Sequence, residues 1–141
     1  MSKTNKMGDI GETRVLAELI KRGYNVSIPF GHDAKYDLVV EVDGKLKKVQ
    51  VKTTASKGGK MRVQCRTISN IIKGKQIRVT YTKKDFDYMI VYDTVTDACY
   101  NVPMDDVEQT IDALWLRTEP PKNGNRKNIR WAKDYLLTES L

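Results

Sequence analysis

Between residues 38 and 52 the chain reads Leu38-Val39-Val40-Glu41-Val42-Asp43-Gly44-Lys45-Leu46-Lys47-Lys48-Val49-Gln50-Val51-Lys52. No other segment constrains the fold as much. Two apolar-rich, alternating runs flank Asp43-Gly44, a dipeptide that accepts the positive φ angles of a tight hairpin turn. Strands are therefore predicted over Tyr36–Val42 and Lys45–Thr53. A turn at 43 and 44 pairs Val42 with Lys45 and Glu41 with Leu46, and the same register sets Asp37 opposite Gln50. Directly opposed residues share a face, and Lys52 joins Gln50 on it because strand periodicity is two. Leu38, Val40, Val42, Val49 and Val51 form the other, apolar face. One side of the hairpin is thus a packing surface, while the other gathers a carboxylate, an amide and an amine.

Residues 8–23 read as an amphipathic helix ended by Gly23. Val15, Leu16, Leu19 and Ile20 centre its apolar stripe, with Arg14, Glu18 and Lys21 opposite. Glu12 falls inside the stripe, one turn before Leu16. A carboxylate on the core side of a helix is costly unless a cation or strong donors meet it. The least costly arrangement brings Glu12 to the polar end of the hairpin, sharing a metal with Asp37.

Further strands are expected at Tyr24–Ile28, Met61–Arg66, Gln76–Tyr81, Tyr88–Tyr92 and Cys99–Val102. Residues 56–60 form a basic loop. Helices are expected over 105–116, from the spacing of Ile111, Leu114 and Trp115, and over about 128–138. The order of helix, mostly antiparallel sheet and helices predicts an α+β or mixed α/β domain. A chain of 141 residues suits one domain with its own core. Cys65 and Cys99 are isolated, which argues against a disulfide framework or a zinc site. No apolar run approaches the ~20 residues of a membrane span, and Met1–Lys6 opens no signal-like stretch. A cytoplasmic (cytosolic or nucleoplasmic) protein with no membrane partner is expected.

The net charge of +7 is unevenly spread. Residues 44–84 hold thirteen Lys and Arg and no acid, while residues 85–119 hold nine acids against Arg117. Such a positive face points to a polyphosphate partner. Arg62, Gln64, Arg66, Gln76 and Arg78 carry side chains suited to major-groove base edges. Lys57, Lys60, Lys73, Lys75, Lys83 and Lys84 suit phosphates.

Mg²⁺ (or Mn²⁺) fits the acidic cluster, because it takes oxygen ligands, often one or two carboxylates with waters and phosphate oxygens. Glu12, Asp37, the Gln50 amide oxygen and the Val51 backbone carbonyl are the candidate ligands. Lys52 would orient a water or stabilise charge growing on a phosphate.

Tyr36-Asp37, twelve residues, then Gln50-Val51-Lys52 resembles the signature of the PD-(D/E)XK nuclease superfamily. Gly8-Asp9-Ile10-Gly11-Glu12 resembles its helix that supplies a further acid. Asp85-Phe86-Asp87-Tyr88, Pro121-Lys122-Asn123-Gly124 and Ala132-Lys133-Asp134-Tyr135 extend the likeness to the group I intron homing endonucleases of that superfamily. Archaeal Holliday junction resolvases share the layout.

The resemblance implies a restriction-endonuclease-like core, a mixed central sheet flanked by helices, over residues 1–141 with a helical extension at about 105–141. It implies a metal-dependent, site-specific cut in double-stranded DNA with Glu12, Asp37, Gln50 and Lys52 as catalytic residues. Cutting two antiparallel strands with one site per chain calls for a homo-oligomer, a dimer or tetramer. Tyr36 replaces a proline that only shapes the strand start. Gln50 replaces an acid and brings no charge, so metal affinity should fall; in the resembling homing endonucleases Gln is compatible with cleavage. If Gln50 instead marks lost activity, the chain is a non-cleaving DNA-binding module. Trp115 and Trp131 read as core or subunit-interface residues, and His32 as a loop residue.

Overall fold

The structure, a computed structural model, describes residues 3–31, 33–72, 74–124, 127–138 and 141, with side chains outside 3–5, 67–72 and 76–79. His32 and Lys73 lie outside the described residues. The hairpin forms with the expected register: β2 (Leu38–Val42) and β3 (Lys45–Thr54) pair Val42 with Lys45 and Leu38 with Val49. Its turn has the required positive φ at both positions, 52° at Asp43 and 79° at Gly44. β1 shrinks to Val26–Ser27, antiparallel to β2. On the other side of β3, β7 (Tyr88–Asp93) runs parallel to it, followed by antiparallel β8 (Ala98–Val102). The mixed central sheet has five strands in the order β1-β2-β3-β7-β8.

Both faces of that sheet are covered, which explains why β7 is a continuous run of buried residues instead of an alternating one. Helix α1 (Lys3–Lys21) covers one face, with Val15 and Leu19 packed on Leu38, Val40, Val49 and Val51. The helix begins earlier than expected and is turned slightly from the predicted stripe. Gly11, Val15 and Leu19, spaced by four, face the sheet, while Ile20 is 55% exposed. The reason is Gly11: a Cβ there would meet Thr53 Oγ1 at 1.8 Å, so the bare backbone sets how closely helix and sheet approach.

The second face is covered by β4 (Lys60–Gln64) and β9 (Ala113–Arg117), antiparallel partners joined by short β10 (Arg130–Trp131). Met61, Val63, Leu114 and Leu116 point inward onto Met89 and Val91. Between Gln64 and Arg66 the chain changes sheet. β5 (Arg66–Ile72) and β6 (Lys75–Thr80) form a separate two-stranded hairpin. Arg62, Gln64 and Arg66 therefore do not share one strand.

The C-terminal third corrects two helices. Only Met104–Glu108 is α-helical (α2) in the first, and residues 113–117 are β9. Ile111, Leu114 and Trp115 have helical spacing, but Leu114/Leu116 alternate with Trp115 at period two, and pairing with β4 decides for the strand. Trp115 is 46% exposed, so it is not a core residue. The predicted helix at 128–138 is instead β10 and a 3₁₀ turn at Ala132–Tyr135. Asn128 adopts φ 58°, outside helical conformation, and Leu137 donates its N–H to the Cys99 carbonyl at 2.9 Å, docking the tail on β8. The expected C-terminal extension is thus mostly extended chain. Among the described residues, no helix is long and apolar enough to cross a membrane.

Candidate active site

Asp37 sits just outside β2, where the hairpin ladder ends. Its N–H donates to the Val49 carbonyl at 2.8 Å, and its Oδ2 accepts the Val51 N–H at 2.8 Å. The carboxylate thus takes over the place where another β2 residue would have paired with β3. A strand residue projects N–H and C=O to the same edge, so the Val51 carbonyl points to this side as well.

Helix α1 delivers Glu12 to the same spot, one residue past the contact of Gly11 with Thr53. The Glu12 carboxyl is pushed up from the usual carboxylate range to about 7 by partial burial, then by its hydrogen bond to Asp37, by the Asp37 charge and by Asp9. Two carboxyl groups so close can share one proton, or both ionise around a cation. They line an open cleft of about 480 Å³ together with Asp9, Tyr36 and the segment Ile28–Gly31.

Gln50 completes the group, on the same strand face as expected from the register. With its amide nitrogen turned inward it donates to Asp37 Oδ2 at 3.1 Å and to the Lys35 carbonyl at 3.0 Å. A carboxamide is nearly the same shape after a half-turn, and that half-turn puts Oε1 at this point, facing two oxygens. Neighbouring ligands in a Mg²⁺ octahedron with bonds of 2.0–2.1 Å stand about 3 Å apart. The residues present therefore fit a small, oxygen-ligated cation: Asp37 and Glu12 bring charge, and Gln50 a neutral oxygen. Among the described residues, no cluster of three or more His, Cys, Asp or Glu side chains is placed to hold a metal.

Lys52 lies two residues beyond Gln50 on β3. Its ammonium donates to the Tyr81 hydroxyl at 3.0 Å and stands 5.0 Å from the centre of the Tyr81 ring. Thr53 and Tyr81 carry no signal of their own in the sequence, and Gly11 only as part of the motif that leads to Glu12. Tyr81 is 29 residues from Lys52 and meets it only through the tertiary fold.

The basic residues separate into groups. Lys60, Arg62 and Gln64 project from the exposed side of β4, with Lys60 Nζ 4.8 Å from the centre of the Trp115 ring. Arg66 starts β5, and its guanidinium is held by Asp112, which also stands 3.5 Å from Arg62. Lys57 lies in the loop before β4, bridged to Lys60 through the backbone at 2.9 Å. Lys75 is exposed at the start of β6. Gln76 and Arg78 lie on β6 but their side chains are outside the described residues, as is Lys73.

The PD-(D/E)XK endonuclease family model matches residues 2–138. Among solved structures, a bacterial homing endonuclease, I-Ssp6803I, superposes with a TM-score of 0.79 at 28% sequence identity, covering 96% of this chain and 89% of its own. No curated protein matches the chain.

Proposed function

Because this chain belongs to the PD-(D/E)XK endonuclease family, we propose that it is a site-specific endonuclease of the homing type, hydrolysing phosphodiester bonds of double-stranded DNA with Mg²⁺ (Mn²⁺ substituting). The observation that carries the reading is the meeting of the Glu12 and Asp37 carboxyls beside Gln50, on the strand that also bears Lys52. Glu12, Asp37, Gln50 and the Val51 carbonyl would hold the divalent cation. When bound, the cation polarises the scissile phosphate and acidifies a water.

The chain's own groups do the rest. Asp37 is fixed by the Val51 N–H, so one carboxylate oxygen is oriented before substrate arrives. Glu12 would release its proton to bulk water as a divalent cation binds, leaving both carboxylates ionised to hold it. Lys52 stabilises the negative charge that grows on the phosphate oxygens and orients the attacking water. Lys57, Lys60, Lys73 and Lys75 contact phosphates along the duplex, and Arg62, Gln64, Arg66 and Arg78 read it. Cutting both strands requires paired copies, in a dimer or tetramer.

The experiment is digestion in Mg²⁺ of a library of linear duplexes alongside a four-way junction. Discrete fragments from the duplex library support the reading. Symmetric nicking of the junction alone would make the protein a junction resolvase, and binding with no cut to either would make it a DNA-binding module.

A further inference from the structure

We propose that Tyr81 is the positioning residue for Lys52, fixing its ammonium for the cleavage step; this rests on the nuclease function proposed above. A lysine ends in a point charge on a flexible four-carbon stem, so a catalytic lysine needs something to define where that charge sits. Here the Tyr81 hydroxyl accepts from Nζ at 3.0 Å, with the ring centre 5.0 Å from the ammonium. The hydrogen bond comes from a neutral group. It orients the ammonium without cancelling its charge, and two of its three N–H donors are left for water and phosphate.

The phenol is itself immobilised. Tyr81 is 4% exposed and packs edge-on against fully buried Phe86, with ring centres 4.9 Å apart and planes at 64°. It follows β6 directly, as Cys65 directly precedes β5, and both belong to the core beneath the central sheet. The hairpin β5–β6 leaves the body between these two anchored residues, so the group that fixes Lys52 is held from the ring side and from the chain side.

The test substitutes Tyr81→Phe, which keeps the ring and its packing and removes the hydroxyl. Single-turnover cleavage of a plasmid library in Mg²⁺, apparent DNA affinity in Ca²⁺ and thermal melting are compared with wild type. A displacement of a catalytic group by about 1 Å can cost 10²-fold, so the rate should fall by about 10- to 100-fold while affinity and melting hold. In a Lys52→Ala background the same substitution should have no further effect, because the two residues act as one unit. Wild-type rates in Tyr81→Phe, or an equal loss with and without Lys52, would overturn the proposal while leaving the nuclease function standing. A wild type that cuts no DNA would remove that function, and this role with it.

Discussion

Gly11 of the helix and Thr53 of the central strand touch so closely that any side chain at position 11 would collide with the threonine hydroxyl. This contact, one residue before Glu12 and one after Lys52, sets the spacing between the two elements that carry the site. Gly11→Ala gains helix propensity of about 1 kcal/mol but overpacks the crossing, which costs typically 1–3 kcal/mol. Rotation of Thr53 relieves its Oγ1, yet its Cβ stays at 3.0 Å, so the clash wins. We expect a net loss of up to about 2 kcal/mol in a urea titration and a larger proportional loss of cleavage. Adding Thr53→Ala should recover only part of the stability, because the alanine keeps the Cβ that stands at 3.0 Å; no recovery at all would place the strain elsewhere.

Glu12 makes stability depend on pH in a defined direction. Its carboxyl, ordinarily at 4.5, is held at about 7 in the fold, so between those values the folded state binds more protons than the unfolded chain. Its contribution is fully present below pH 4.5 and is lost as pH rises through 7. Urea midpoints of the protein in EDTA, wild type minus Glu12→Gln, should therefore decline across pH 4.5–7 and level above it. A difference that is flat with pH would mean that Glu12 and Asp37 do not share a proton.

Cation binding should reverse that effect. Both carboxylates must be ionised to hold the ion, so binding below pH 7 releases a proton. Calorimetry in buffers of different ionisation enthalpy should find proton release at pH 6 and much less at pH 8. Glu12→Gln should abolish the difference, and proton uptake at pH 6 would contradict the assignment.

Lys60 and Arg62, on the exposed side of β4, should contribute chiefly through charge. Removing one cation from a phosphate lowers the slope of log affinity against log salt by about 0.9. Lys60→Ala should reduce the slope by about 1 on any duplex, whereas a base-reading Arg62 should lose discrimination at one position, worth ~1–3 kcal/mol. Equal loss on all sequences from Arg62→Ala would make it a phosphate contact only.

The hairpin and the placing of three residues of the candidate site were legible in the sequence because Asp43-Gly44 fixes a register locally, and a register decides which side chains face each other. Glu12 was legible as a carboxylate out of place on an apolar face, although the helix turns on Gly11 and leaves Ile20 in water. The C-terminal third was not legible. Ala113-Leu114-Trp115-Leu116-Arg117 suits either period over so short a run, and its pairing with β4 is a contact across some fifty positions in sequence. The links of Lys52 to Tyr81 and of Arg66 to Asp112 join residues 29 and 46 positions apart. No local pattern encodes them.

The most direct test is cleavage of a plasmid library by wild type with Mg²⁺, with EDTA, and by Asp37→Asn, which is close in shape but carries no charge. Wild type should give discrete linear products in Mg²⁺ and none in EDTA, and Asp37→Asn should lose at least about 10²-fold in rate, the scale of removing one such electrostatic group, while still binding DNA. Cutting that survives EDTA, or an Asp37→Asn protein that cuts like wild type, would contradict the account.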